Sequence, residues 1–159
     1  MAPKVFVVLT SADKDSSTGL ELGWYLPEFA HPRNVLQSKV EFVIASPKGG
    51  LAPLSSQSVK LSADDATSSK FLKEQSALWE NTVKLSKVLP RVDEFDAIFY
   101  PGGHGPMFDL YSDPESISLI EKFAVAKKPI ASVCHGPAVL AKATLPSGEP
   151  LLASAAVGR

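Results

Sequence analysis

Two short segments carry residue types that could do chemistry. One is Cys134-His135-Gly136-Pro137, directly after the apolar run Ile130-Ala131-Ser132-Val133. The other is Gly102-Gly103-His104-Gly105, directly after Ala97-Ile98-Phe99-Tyr100-Pro101. A thiolate is a strong nucleophile, and it can be activated by an adjacent base or by its surroundings. A strand that runs into a helix at one residue resembles a nucleophile elbow, where a tight turn pushes the side chain into the open. Gly136 removes a Cβ where the chain must turn hard. A cysteine at that helix start would feel the positive end of the dipole, which favours the thiolate. First-turn amides lack helical partners, so the His135 N–H is free to donate. With the amides of Gly102 and Gly103 it could form an oxyanion hole.

Each of these residues also has a plainer reading. An isolated cysteine after an apolar run is by default a buried core thiol. The Cys-His-Gly-Pro context moves Cys134 toward function. His135 alone could equally be a surface histidine. His104 counts with the substrate-binding residues, as a loop histidine rather than a base. The Gly-rich loop alone is a weak signal, because it lacks the spacing of a dinucleotide fingerprint or a P-loop. Trp24 and Trp79 read as core anchors or pocket walls. The chain's three histidines are scattered, with no His/Cys spacing that suits a metal, so no metal is expected.

These residues need a scaffold that brings them to one edge. Val5-Phe6-Val7-Val8-Leu9 is an apolar, β-branched run of the kind found in parallel strands buried on both faces. Leu22, Tyr25, Leu26 and Phe29 fall at helical spacing and predict a helix over 18–37, interrupted by Pro27 and ended or kinked by Pro32. A second strand is expected over 40–45, closed by the turn residues Pro47, Gly49 and Gly50. Residues 51–74 are polar and loosely periodic, and no element is assigned there. Leu78, Val83, Leu85 and Val88 predict a helix over 75–89, stopped by Pro90. Further strands are expected over 95–100 and 129–133, with helices over 114–126 and 138–143. Strands alternating with helices imply βαβ units and a parallel sheet. In such sheets ligands bind outside the carboxyl ends of the strands. Three segments reach that edge: residues 18–32, 101–106 and 134–136.

Composition bounds the function. The 159 residues are 45% apolar and 21% charged, with a formal charge of −1. That suits one globular domain and small, weakly charged substrates. It gives no basic footprint for nucleic acid and no run of the ~20 apolar residues a membrane helix needs. The start lacks the pattern of a signal peptide, so the expected location is the cytoplasm, with the nucleus also open. The single cysteine excludes an internal disulfide.

Taken together, the segments resemble the DJ-1/PfpI superfamily, and within it the Hsp31-like, glutathione-independent glyoxalase III group. The matching pieces are Ala2-Pro3-Lys4-Val5 with its strand, Thr18-Gly19, Glu28-Phe29-Ala30-His31-Pro32, and residues 99–105 and 131–137. The resemblance implies a flavodoxin-like parallel sheet sandwiched by helices, of the class I glutamine amidotransferase-like type. It makes Cys134 the nucleophile and His135 the family's histidine. Glu28 would be the acid beside the thiol, protonated when bonded to sulfur and able to act as general acid/base. The plainer reading of Glu28 is a solvated helix carboxylate. The implied reaction is glutathione-independent conversion of methylglyoxal or similar 2-oxoaldehydes to 2-hydroxy acids, of the D-lactate dehydratase type. It would use no cofactor, and the protein would be a homodimer. Residues 1–152 are expected to form the family domain, incomplete at its C-terminal end, with 153–159 a tail outside it. Family chains place an acidic partner for the histidine further on, and no acid follows Pro150 here. A stress-response chaperone or redox sensor and an inactive truncated pseudoenzyme therefore stand as alternatives. A class I amidotransferase or a cysteine hydrolase is less favoured.

Overall fold

The computed structural model describes residues 2–154. Its centre is a parallel sheet of five strands: β1 (Lys4–Val8), β2 (Glu41–Ser46), β3 (Val83–Lys84), β4 (Ala97–Tyr100) and β5 (Ile130–Ser132), in the order β3-β2-β1-β4-β5. Helices α1 (Leu26–Leu36), α2 (Ser56–Leu61), α3 (Ala66–Glu74), α4 (Ala77–Glu80), α5 (Leu85–Val88), α6 (Pro114–Val125) and α7 (Leu151–Ser154) surround it. The expected α/β architecture is the observed one.

The central strand explains the layering. Phe6, Val7 and Val8 are fully buried, and alternate side chains leave on opposite faces. Phe6 and Val8 join Ile98, Tyr100, Leu119, Ile120 and Phe123 on the α6 side. Val7 and Leu9 join Trp24, Phe29, Phe71 and Trp79 on the α1 side. There the rings pack edge to face or stacked, with Phe29 and Phe71 centroids 5.2 Å apart and Trp24 and Trp79 centroids 5.6 Å apart. Trp24 and Trp79 are thus core anchors. Phe29 clamps α1 to the sheet, which fixes the direction of its neighbour Glu28.

Four expectations change. The helix predicted over 18–37 begins only at Leu26, with Pro27 in its first turn. A proline there suits a helix start, because its missing N–H has no helical partner in any case. Pro32 lies inside the helix without ending it. Leu22 and Tyr25 are instead in a loop, held by bonds such as Leu22 N–H to Asp13 O (2.9 Å). The unassigned stretch 51–74 contains α2 and α3. Their starts are capped by Ser55, which accepts from the Ser58 amide, and Asp65, which accepts from Thr67 and Ser68.

The helix predicted over 75–89 is broken into α4, β3 and α5. Thr82 is buried, and its hydroxyl bonds Ser46 Oγ and Gly50 O, both at 2.7 Å. Val83 and Lys84 then pair with Ala45 and Ser46. Satisfying the edge of β2 outweighs the helical spacing of Leu78, Val83, Leu85 and Val88. Finally, the helix predicted over 138–143 is a 3-10 segment, Gly136–Lys142. The tail expected over 153–159 lies almost wholly outside the described residues.

Candidate functional site

The ends of β1, β4 and β5 bring the three expected segments together. The Tyr25 amide donates to Gly102 O (3.2 Å), and the Gly105 amide donates to Gly23 O (3.1 Å). The loop after β4 therefore lies against the entry to α1. The Val133 amide donates to Tyr100 O (3.3 Å), and the Gly136 amide closes a turn onto Val133 O (2.8 Å).

Cys134 occupies that turn with φ at +55°, in the left-handed region. For a residue with a Cβ this conformation is strained by ~1–3 kcal/mol and persists only where its surroundings enforce it. Here two glycines do so. A Cβ on Gly136 would collide with Tyr100 O. A Cβ on Gly102 would sit 2.6 Å from Val133 O, 2.8 Å from Glu28 Oε2 and 2.9 Å from the His135 nitrogen. The two loops close on each other because neither carries a side chain at these points. The thiol is left exposed.

Glu28 reaches the same spot from α1. Its Oε2 accepts from the Gly102 amide at 2.7 Å, which holds its carboxyl close enough for its charge to act on the Cys134 sulfur. Burial raises its pKa, against the opposing pulls of the Gly102 amide, the thiol and His135. Glu28 is thus a half-buried carboxyl, not a solvated one. The Cys134 pKa is also raised, first by burial, then by the Glu28 charge and the hydrogen bond between them, and the His135 and Gly103 amides pull it down. Glu28 thus resists ionising because it is buried, and the thiol resists ionising because of burial and of the Glu28 charge beside it.

Two sequence-based expectations shift here. The Gly102 amide is engaged by Glu28, so the donors that face the sulfur are Gly103 and His135. The thiol pKa is raised rather than lowered as a helix-start position predicts, because burial and the Glu28 charge outweigh the His135 and Gly103 amides. The His135 ring places Nδ1 3.4 Å from Sγ. The exposed His104 ring lies 5.3 Å from it, centroid to centroid. Among the described residues, no carboxylate bonds the His135 ring. None of their His, Cys, Asp and Glu side chains gather in a group of three able to hold a metal, and no helix is long and apolar enough to cross a membrane.

Residues 26–154 match the pattern of the DJ-1/PfpI family. The chain belongs to that family. Among DJ-1/PfpI relatives, the glutathione-independent glyoxalase HSP31 of Saccharomyces cerevisiae is 29% identical over 96% of this chain and 66% of its own length. The protein/nucleic acid deglycase 2 of Escherichia coli is 36% identical over 46% of this chain and 44% of its own. The crystal structure of glyoxalase III from Candida albicans superposes with a TM-score of 0.74 at 27% identity, covering 94% of this chain and 64% of that one. The chain thus spans two thirds or less of the length of these relatives.

Next to this DJ-1/PfpI site is a contact that no sequence motif marks. Thr10, at the end of β1, donates its hydroxyl to Asp109 Oδ1 (2.8 Å), and the Ser11 amide donates to Oδ2 (2.7 Å). The two residues are 99 positions apart, and only the fold joins them. Beside them opens a cavity of about 820 Å³ lined by Ser11, Lys48, Lys84, Phe108 and Asp109, and not by Cys134, Glu28 or His135.

Proposed function

We propose that this chain carries the active site of a glutathione-independent glyoxalase, which converts methylglyoxal and similar 2-oxoaldehydes to 2-hydroxy acids. The observation that carries this reading is one exposed sulfur on a strained turn, beside a carboxyl whose pKa is raised and faced by two backbone amides. The names of the yeast and Candida relatives support the same substrate class.

The chemistry uses Glu28 as the base and acid beside the thiol. The Cys134 thiol passes its proton to Glu28 as the sulfur adds to the aldehyde carbon, and Glu28 then protonates the new alkoxide to give a hemithioacetal. The Gly103 and His135 amides stabilise the oxyanion as it forms. The Glu28 carboxylate then removes the proton from that carbon, giving an enediolate, and returns it to the neighbouring carbon, while the hydroxyl proton of the first carbon passes to the oxygen of the second. The result is a thioester of the 2-hydroxy acid. Water, with His135 as base, hydrolyses it and frees the thiol. No redox partner enters, because one carbon is oxidised as its neighbour is reduced.

The test is lactate formation from methylglyoxal without glutathione. Wild type should form it, and Cys134→Ser should not. Unchanged turnover in Cys134→Ser would sink this reading. A second reading keeps the same nucleophile but takes carbonyl adducts of amines as substrate, and it is favoured by the name of the Escherichia coli relative. Release of free amine from a methylglyoxal-treated amino acid, faster than lactate formation, would select it.

A further inference from the structure

We propose that Asp109 is a positioning residue, which through Thr10 holds the Gly102-to-Gly105 loop at the height where the Gly103 amide faces the Cys134 sulfur. This rests on reading Cys134 as the reacting group. The Asp109 carboxylate takes donors from two segments. Thr10 Oγ1 and the Ser11 amide come from the end of β1, at 2.8 and 2.7 Å, and the Leu110 amide (2.7 Å) comes from its own loop. Thr10 is fully buried, and its hydroxyl in turn accepts from the Ala12 amide at 3.0 Å. Ser11 Oγ extends the network to the turn after β2 by accepting from the Lys48 amide at 3.0 Å.

The loop is pressed between this network and the entry to α1. Gly105 lies so close to the Thr10 side chain that a Cβ would overlap it, and Gly103 lies equally close to Gly23 O. The Asp109 amide donates back to Gly105 O at 3.2 Å, so the carboxylate sits one helical turn beyond the glycine it steadies. Moving that turn moves Gly103, and with it one of the two amides that lower the Cys134 pKa. The other groups facing the sulfur are Glu28 and His135, with His104 against the His135 ring, and the network touches none of their side chains.

The cysteine is unique in the chain, so iodoacetamide alkylation against pH reports on Cys134 alone. Full-length wild type, Thr10→Val, Thr10→Ser and Asp109→Asn are compared, with kcat and KM for methylglyoxal measured alongside. Thr10→Val keeps the shape and removes the hydroxyl, and Thr10→Ser keeps the hydroxyl. The expected result is an alkylation midpoint raised by about half a unit or more in Thr10→Val and Asp109→Asn, and unchanged in Thr10→Ser. Turnover should fall mainly in kcat. The sign is diagnostic, because loss of the Asp109 charge alone would lower the midpoint. A folded Thr10→Val with a wild-type midpoint overturns the proposal. So does failure of both Thr10→Val and Asp109→Asn to fold, which would make the contact purely structural. If wild type forms no lactate, the glyoxalase reading fails while the alkylation comparison still decides the role of Asp109.

Discussion

At the residue scale the proposed chemistry turns on a proton passing between Cys134 and Glu28. Glu28→Gln keeps an oxygen for the Gly102 amide and removes both the charge and the shuttle. Turnover should fall by ~10²–10⁴-fold, the usual weight of a general acid/base. The thiol should become easier to ionise, because the carboxylate charge that raises its pKa is gone. Alkylation of Cys134 should therefore begin at lower pH in Glu28→Gln than in wild type. The same substitution should stabilise the fold at neutral pH. A carboxyl whose folded pKa is raised destabilises the native state once pH exceeds its unfolded value, and does nothing below it. The melting temperature of Glu28→Gln should exceed that of wild type at pH 7, and the gap should close near pH 4. A constant gap would assign the effect to packing rather than to ionisation. Cys134, His135 and Gly136 were legible in the chain because their chemistry is local to one turn. Asp109 was not, since its partners come from the other end of the polypeptide.

At the element scale, the turns hold the site and the edge pairings hold the turns. Gly102→Ala would push a methyl between Val133 O, Glu28 and the His135 amide. That separates the two loops, so activity should be lost while the far end of the sheet survives. Circular dichroism and lactate assays on the same sample would check this. Thr82→Val tests why the segment after α4 becomes a strand. It leaves Ser46 Oγ and Gly50 O without the Thr82 hydroxyl, at ~1–3 kcal/mol. Urea midpoints would measure that loss, and hydrogen exchange should localise it to β2 and β3. Residues 75–89 misled as a helix because periodicity records where apolar side chains recur, whereas the need to satisfy the β2 edge is invisible until that edge exists. α2 and α3 escaped periodicity for a related reason. Their cue was capping by Ser55 and Asp65 rather than an apolar stripe.

At the scale of the whole molecule, the two faces of the sheet are unequally covered. Phe6 and Val7 are sealed on opposite sides, whereas Ala131 and Val133, at the β5 edge, are exposed. An edge strand with small apolar side chains and free backbone groups is a template for pairing. We expect concentration-dependent self-association of this chain, read by light scattering. Ala131→Lys should suppress it, and an unchanged profile would remove β5 from the contact. Phe123→Ala, by contrast, should cost ~3–5 kcal/mol, because the ring is wholly buried beneath the sheet. The alternation of apolar runs with helical segments was enough to imply a parallel α/β sheet, since burying a strand on both faces requires continuous apolar residues. The cysteine elbow was equally plain, because a turn of four residues carries its own instructions. Which amide meets the sulfur, which carboxyl contests its proton and which strand borders β2 depend on residues tens of positions apart. Those pairings exist only when the chain has packed, because they are set by the spacing of backbones in the folded core and not by any neighbour in sequence.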